Sequence, residues 1–236
     1  MIPDSQEPRI RETGPQRRRG AALVLFLEPL ILYGILFLPG ALHHEPPVEL
    51  AVFSVNREII RIAAYNLPAL ALIWYLRWKS GRDENVFPPG LRDLVTFLVV
   101  FPALILTGIC VSRIAALFPE IPQRFTIEAP GDITGYVVVF LSCVSTGYLE
   151  ESYFRYYLGE KIEEIGLGSW VFLVVSTVFF GLCHVYEGPW GTMNSILAAM
   201  ILALAYIRFR ALHGLALAHG FYNIVVYLAS GVNAPR

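Results

Sequence analysis

The stretch Tyr148-Leu149-Glu150-Glu151-Ser152-Tyr153-Phe154-Arg155 places two adjacent acids and an arginine directly behind an apolar run, residues 136–143. The run reads as membrane-embedded. Ionisable groups at the edge of a bilayer core are costly, so they face a wet cavity or pair with one another. On a helix, Glu151 and Arg155 lie four apart on one face, with the acid on the N-terminal side, the better order for an ion pair. Glu150 lies about 100° round the helix, outside that pair. One carboxylate therefore has a built-in partner and its neighbour has none. A lone carboxylate at a partly dry site suits general-base work; the plainer reading is a charged helix end at the water boundary.

The composition agrees with a membrane setting. Of 236 residues, 56% are hydrophobic and 16% charged, against about 25% charged in soluble domains. The formal net charge of -1 hides five arginines within the first 19 residues. That pattern is an orientation signal and no basic face for nucleic acid. Cys110, Cys143 and Cys183 sit in apolar runs at spacings that fit no metal motif, and are expected as buried packing residues without a disulfide framework.

Working outward, residues 1–19 read as a disordered, basic cytoplasmic tail. Apolar spans are expected at 21–42, 59–78, 94–118, 133–158, 169–186, 192–207 and 212–228, with 160–168 a charged connector and 187–191 a turn. The result is an all-α polytopic bundle of about seven spans: one membrane domain over 20–236, with a catalytic half at 133–230. Lys and Arg fall in alternate loops, which predicts a cytoplasmic N-terminus and an outside C-terminus. No internal repeat is visible.

Two further stretches carry polar groups inside apolar helices. Phe180-Gly181-Leu182-Cys183-His184 puts Phe180 and His184 four apart, with Gly181 open to close approach by another helix. His219-Gly220-Phe221-Tyr222-Asn223 puts an imidazole and an amide four apart. Hydrogen-bonded glue between helices is one reading of each. The other is a pair of donors aimed at one point, as an oxyanion requires. Together, a free acid, two imidazoles and an amide are what general-base hydrolysis needs. His-Glu-x-x-His and Gly-x-Ser-x-Gly are both absent, so neither the zincin helix nor the serine elbow is present. Glu28, His43, His44 and His213 read as structural or loop residues.

The three stretches resemble the motifs of the CPBP family of intramembrane proteases, which includes the CAAX-processing endopeptidase of the Rce1 type and the Abi bacteriocin-immunity proteins. That family carries Glu-Glu-x-x-x-Arg, Phe-x-x-x-His and His-x-x-x-Asn on successive membrane helices. Here they stand as Glu150 to Arg155, Phe180 to His184 and His219 to Asn223, intact and in order. The resemblance covers 136–228. It implies an endopeptidase that acts on a membrane-associated peptide or protein substrate within the lipid bilayer. Glu150 and His184 would activate water, His219 and Asn223 would hold the oxyanion, and Glu151, Arg155 and Phe180 would support the site. Cofactor use stays open: Glu150, His184 and His219 could ligate a single divalent metal such as zinc, or work without one. A non-catalytic immunity or scaffolding protein of the same fold, and an ion transporter, are the rival classes.

Simple counting leaves a difficulty. A span ending at Leu158 puts Glu150 near its cytoplasmic end, whereas His184 stands about 22 Å past Ser169 and His219 about 10 Å past Leu212 along straight helices. A shared site requires these levels to converge.

Overall fold

In the computed structural model, residues 15–42, 53–81, 88–121 and 128–232 are described; residues 1–14, His43, His44 and Arg82 lie outside them. The described residues are helical throughout their ordered elements, and we number the seven principal helices α1 Pro15–Leu36, α2 Val55–Lys79, α3 Leu91–Ala115, α4 Ile133–Glu164, α5 Ser169–Leu182, α6 Gly188–Phe209 and α7 Leu212–Val232. Five of these, α2, α3, α4, α6 and α7, are long and apolar enough to cross a bilayer, α6 counted together with the turn before it; the apolar part of α1 and all of α5 are shorter. The chain is an all-helical bundle of an integral membrane protein.

Several boundaries differ from the expected ones, each for a local reason. Residues 15–19, inside the expected tail, form the first turns of α1. Helix α2 starts at Val55, because Ser54 caps it by accepting from the Arg57 amide at 3.4 Å. Helix α6 starts at Gly188, in the stretch expected as a turn, with Pro189 at the first positions where a missing N–H costs nothing.

The largest difference is in α4. It does not stop at Leu158 but runs on to Glu164, through the stretch expected as a connector. Every residue from 151 to 162 is buried, so this part of α4 is surrounded by the rest of the bundle. Its charges are buried because each finds a partner across the bundle. Arg77 of α2 meets Glu160 at 2.6 Å, and Lys161 lies 3.6 Å from Glu28 of α1 and 3.4 Å from Glu164. Tyr157 donates to the same Glu28. Glu28 therefore ties α1 to α4.

The core gathers on this part of α4. Tyr153 and Phe154 pack against Phe37, with ring centroids 4.8 Å apart in both cases, and Phe154 packs against Phe180 at 5.1 Å. Lipid is as apolar as these side chains, so helix association rests on close packing and interhelical hydrogen bonds. Glycine supplies the closest approach: a Cβ at Gly147 would lie 2.6 Å from the Ala216 carbonyl oxygen, and one at Gly220 2.9 Å from the Val144 Cα. These two contacts seat α7 antiparallel on α4. Gly108 of α3 makes room for the Tyr222 hydroxyl, which would lie 2.7 Å from a Cβ there.

Helices α2 and α4 run in the same direction, joined by a polar seam. Ser142 donates to Glu58 at 2.7 Å, Asn66 donates to Ser145 and Thr146 at 2.8 and 3.0 Å, and Trp74 donates to Ser152 at 3.0 Å. Of the cysteines, Cys143 and Cys183 are buried, but Cys110 is exposed. An apolar run in a membrane helix has a lipid-facing side as well as a packed one, and Cys110 falls on the former.

Candidate active site

The acid pair sits where α4 changes its winding. Ordinary helix ends at Glu151, and Ser152–Tyr157 forms a π-helical stretch before the α-helix resumes. Such widenings cluster at functional sites. The sequence pattern gave no sign of this one.

Within it, Glu151 and Arg155 form an ion pair, Oε2 to Nε 3.1 Å, with both side chains fully buried. Arg155 also donates to the Ala199 carbonyl of α6 at 3.2 Å and lies over the Phe180 ring, 5.0 Å from its centroid. The other oxygen of Glu151 meets His219 Nδ1 at 2.8 Å. A chain of contacts thus runs from α6 through Arg155 and Glu151 to an imidazole on α7. A carboxylate that fixes one imidazole nitrogen leaves the other aimed at a set point.

That other nitrogen, His219 Nε2, lies 3.5 Å from Glu150 Oε2. This oxygen is buried and has no hydrogen-bond partner. The two adjacent glutamates therefore differ in how tightly they are held: Glu151 has Arg155 at 3.1 Å on one oxygen and His219 at 2.8 Å on the other, while Glu150 has the longer 3.5 Å approach of His219 Nε2.

His184 is not deep in a helix. α5 ends at Leu182, and His184 occupies the turn beyond it, with φ -112 and ψ 10. Its ring stacks on Phe180, centroids 4.4 Å apart, and its Nδ1 lies 2.7 Å from the Phe180 carbonyl oxygen. A carbonyl only accepts, so Nδ1 carries the proton of that hydrogen bond and the neutral ring keeps its lone pair on Nε2. Phe180 also packs on His219, centroids 5.7 Å apart. One phenyl ring thus separates and orients both imidazoles. No hydrogen bond or ion pair joins Glu150 to His184 among the described residues; Glu150 stands beside His219. Asn223, one turn beyond His219 on α7, makes no hydrogen bond among the described residues.

The levels converge for two reasons. With α4 extended to Glu164, Glu150 stands 14 residues, about 21 Å, from that end, which matches the rise of α5 to His184. Helix α7 begins higher: Tyr148 of α4 hydrogen-bonds His213, the second residue of α7, at 3.2 Å. The His219 side chain, tilted toward the helix N-terminus, then reaches back to the acids.

Glu150, His184 and His219 were the candidate zinc ligands. Among the described residues, no group of three His, Cys, Asp or Glu side chains is arranged to hold a metal ion. The residues do not fit a metal as placed.

Residues 132–225 match the family model described as type II CAAX prenyl endopeptidase Rce1-like. The matched segment is similar to that family over less than half of the chain. It begins at Asp132, the residue that caps α4 by accepting from the Gly135 amide at 2.7 Å, and runs through most of α7. The matched segment holds all three motif stretches, while α1 to α3 lie outside it. No curated protein and no solved structure matches the chain significantly.

Sequence reasoning missed several residues around the site. Glu187, Thr192 and Ser195, in and after the turn that follows His184, hydrogen-bond one another or His184. Tyr222 donates to Asn194 at 2.9 Å. Their partners are distant in the chain or hidden in a turn, so spacing alone offered no signal beyond the Gly188-Pro189 helix start.

Proposed function

We propose that the chain is an intramembrane endopeptidase of the CAAX-processing type, hydrolysing a peptide bond of a membrane-associated substrate by general-base activation of water. The observation that carries this reading is the buried Glu150 oxygen without a hydrogen-bond partner, 3.5 Å from an imidazole that Glu151 already fixes. Glu150 takes a proton from water. As the C–N bond breaks, that proton passes through the Nε2 lone pair of His184 to the leaving amine, which frees Glu150 for the next turnover. Asn223 donates to the oxyanion of the tetrahedral intermediate, and His219, with Nδ1 donating to Glu151, supplies the second donor from Nε2 when its ring is protonated on both nitrogens. Arg155 and Glu151 keep His219 in place. Such donors contribute most where water is excluded and charge develops.

The family description points to prenylated C-terminal tails as the first substrate class to test. An open, largely apolar depression of about 460 Å³, lined by Val185, Gly188, Pro189, Thr192, Met193 and Ile196 just after His184 in the chain, supports a substrate with an apolar attachment. The distribution of basic residues supports a cytoplasmic N-terminus and an outside C-terminus. The parallel run of α2 and α4 supports the alternation this requires.

The test is purified protein in liposomes, incubated with prenylated and unprenylated peptides and followed by mass spectrometry. A single new cleavage near the prenylated cysteine is the expected result. Absence of any hydrolysis across both sets, from folded protein, would overturn the reading in favour of a non-catalytic member of the fold.

A further inference from the structure

His184 needs explanation as a placed group. It lies past the end of α5, tied to it by its amide, which donates to the Gly181 carbonyl at 3.1 Å, and its ring is stacked and hydrogen-bonded in one orientation. The other side of the turn is held from its last residue, Glu187, and from α6, which carries none of the three motifs. The Thr192 hydroxyl donates to the His184 carbonyl at 3.1 Å, and the Glu187 amide donates to the same oxygen at 3.1 Å. The Glu187 side chain does not point away to solvent. It folds back along α6, accepts from the buried Ser195 hydroxyl at 3.1 Å, and lies over Gly191, where any Cβ would collide with the Glu187 Cβ. Gly188, at φ 80, lets the chain enter α6 directly after Glu187; a residue with a side chain is strained there. A carboxylate at a helix N-terminus is also electrostatically favoured.

We propose that Glu187, locked by Ser195 across Gly191 and aided by Thr192, is the positioning element that aims the His184 imidazole at the site. The acid touches no reacting atom. It acts through the turn, so its loss lets His184 sample other orientations while the bundle stays folded. This inference rests on the proposed hydrolysis for its kinetic readout but not for its chemical one.

The chemical readout is carbethoxylation of His184 by diethyl pyrocarbonate, followed at the level of the His184 peptide by mass spectrometry. Glu187→Ala and Ser195→Ala should each raise that rate several-fold, and the double variant should add nothing, because both break the same contact. Glu187→Gln should restore the wild-type rate, since its amide oxygen still accepts from Ser195. Asn194→Ala, which loosens Tyr222 on α7, should leave it unchanged. In the peptidase assay, Glu187→Ala should lower kcat about tenfold with little change in KM, as small misplacements of a reacting group do. Should Glu187→Ala lower stability, Glu187→Gln and Ser195→Ala decide the matter, since they keep the packing. Wild-type His184 reactivity in Ser195→Ala, a Gln variant that behaves like Ala, or multiplicative effects of the two sites would each overturn the proposal. A chain that cleaves no peptide would sink the proposed hydrolysis while leaving the carbethoxylation result to stand or fall by itself.

Discussion

Helices α3 and α7 lie side by side, and they contrast sharply. α3 is the most apolar of the five long spans, yet only 22% of its apolar window is buried inside the protein; α7 is the least apolar, and 50% of its window is buried. In water the order would be reversed. In a bilayer the lipid face is as apolar as the core, so hydrophobicity marks exposure to lipid, and small or polar residues mark the packed interior. α7 shows the pattern: Gly214, Ala216, Ala218, His219 and Gly220 are all buried. The motif-bearing helices are central because their small and polar residues can satisfy one another only there.

The contrast is broken or sharpened first at the buried ion pair. Arg155→Ala strands the Glu151 charge in the middle of the packed half, and should cost about 3–5 kcal/mol, as uncompensated buried charges do. Arg61→Ala on α2 removes a side chain that is 46% exposed and leaves the buried Glu58 its Ser142 and Arg57 contacts, so it should cost less. Unfolding of both variants in detergent checks the difference; equal losses would erase the distinction between the two halves.

Glycines give a smaller effect of the same kind. Gly147→Ala must push against the α7 backbone and should cost about 1–3 kcal/mol. Gly34→Ala in α1 meets nothing within 4 Å and should be neutral or stabilise by up to about 1 kcal/mol. Smaller still in energy, but clear in readout, is thiol labelling. A lipid-soluble maleimide should modify Cys110 on the exposed face of α3 and leave Cys143 and Cys183 untouched in the folded protein. Exhaustive chelation should leave peptidase activity unchanged; loss of activity that zinc alone restores would show that the site rearranges to bind metal.

Much of this was legible in the sequence, and the failures have physical causes. The seven apolar helices follow from composition, and the facing of Glu151 and Arg155 follows from a spacing of four. The approach of another helix at Gly181 was also readable: a Cβ there would lie 2.6 Å from Ile196 of α6. The extent of α4 was not readable, because Glu160 and Lys161 look like loop residues until Arg77 and Glu28 are seen beside them. Cys110 was misplaced because an apolar run does not distinguish lipid from core. The partnering of Glu150 with His219, and not with His184, depends on where α7 begins and on the turn beyond α5. Neither is written in the motifs.

Under the proposed hydrolysis two adjacent glutamates divide their work: Glu150 does chemistry and Glu151 holds the fold. The direct measurement sets Glu150→Gln beside Glu151→Ala, with peptide hydrolysis and thermal unfolding followed on the same preparations. The account predicts that Glu150→Gln melts like wild type and loses activity by about 100-fold or more, the scale of a missing general base. Glu151→Ala should melt well below wild type, because Arg155 and His219 lose their common partner. A Glu150→Gln protein that hydrolyses peptide normally, or that unfolds while Glu151→Ala stays intact, would contradict it.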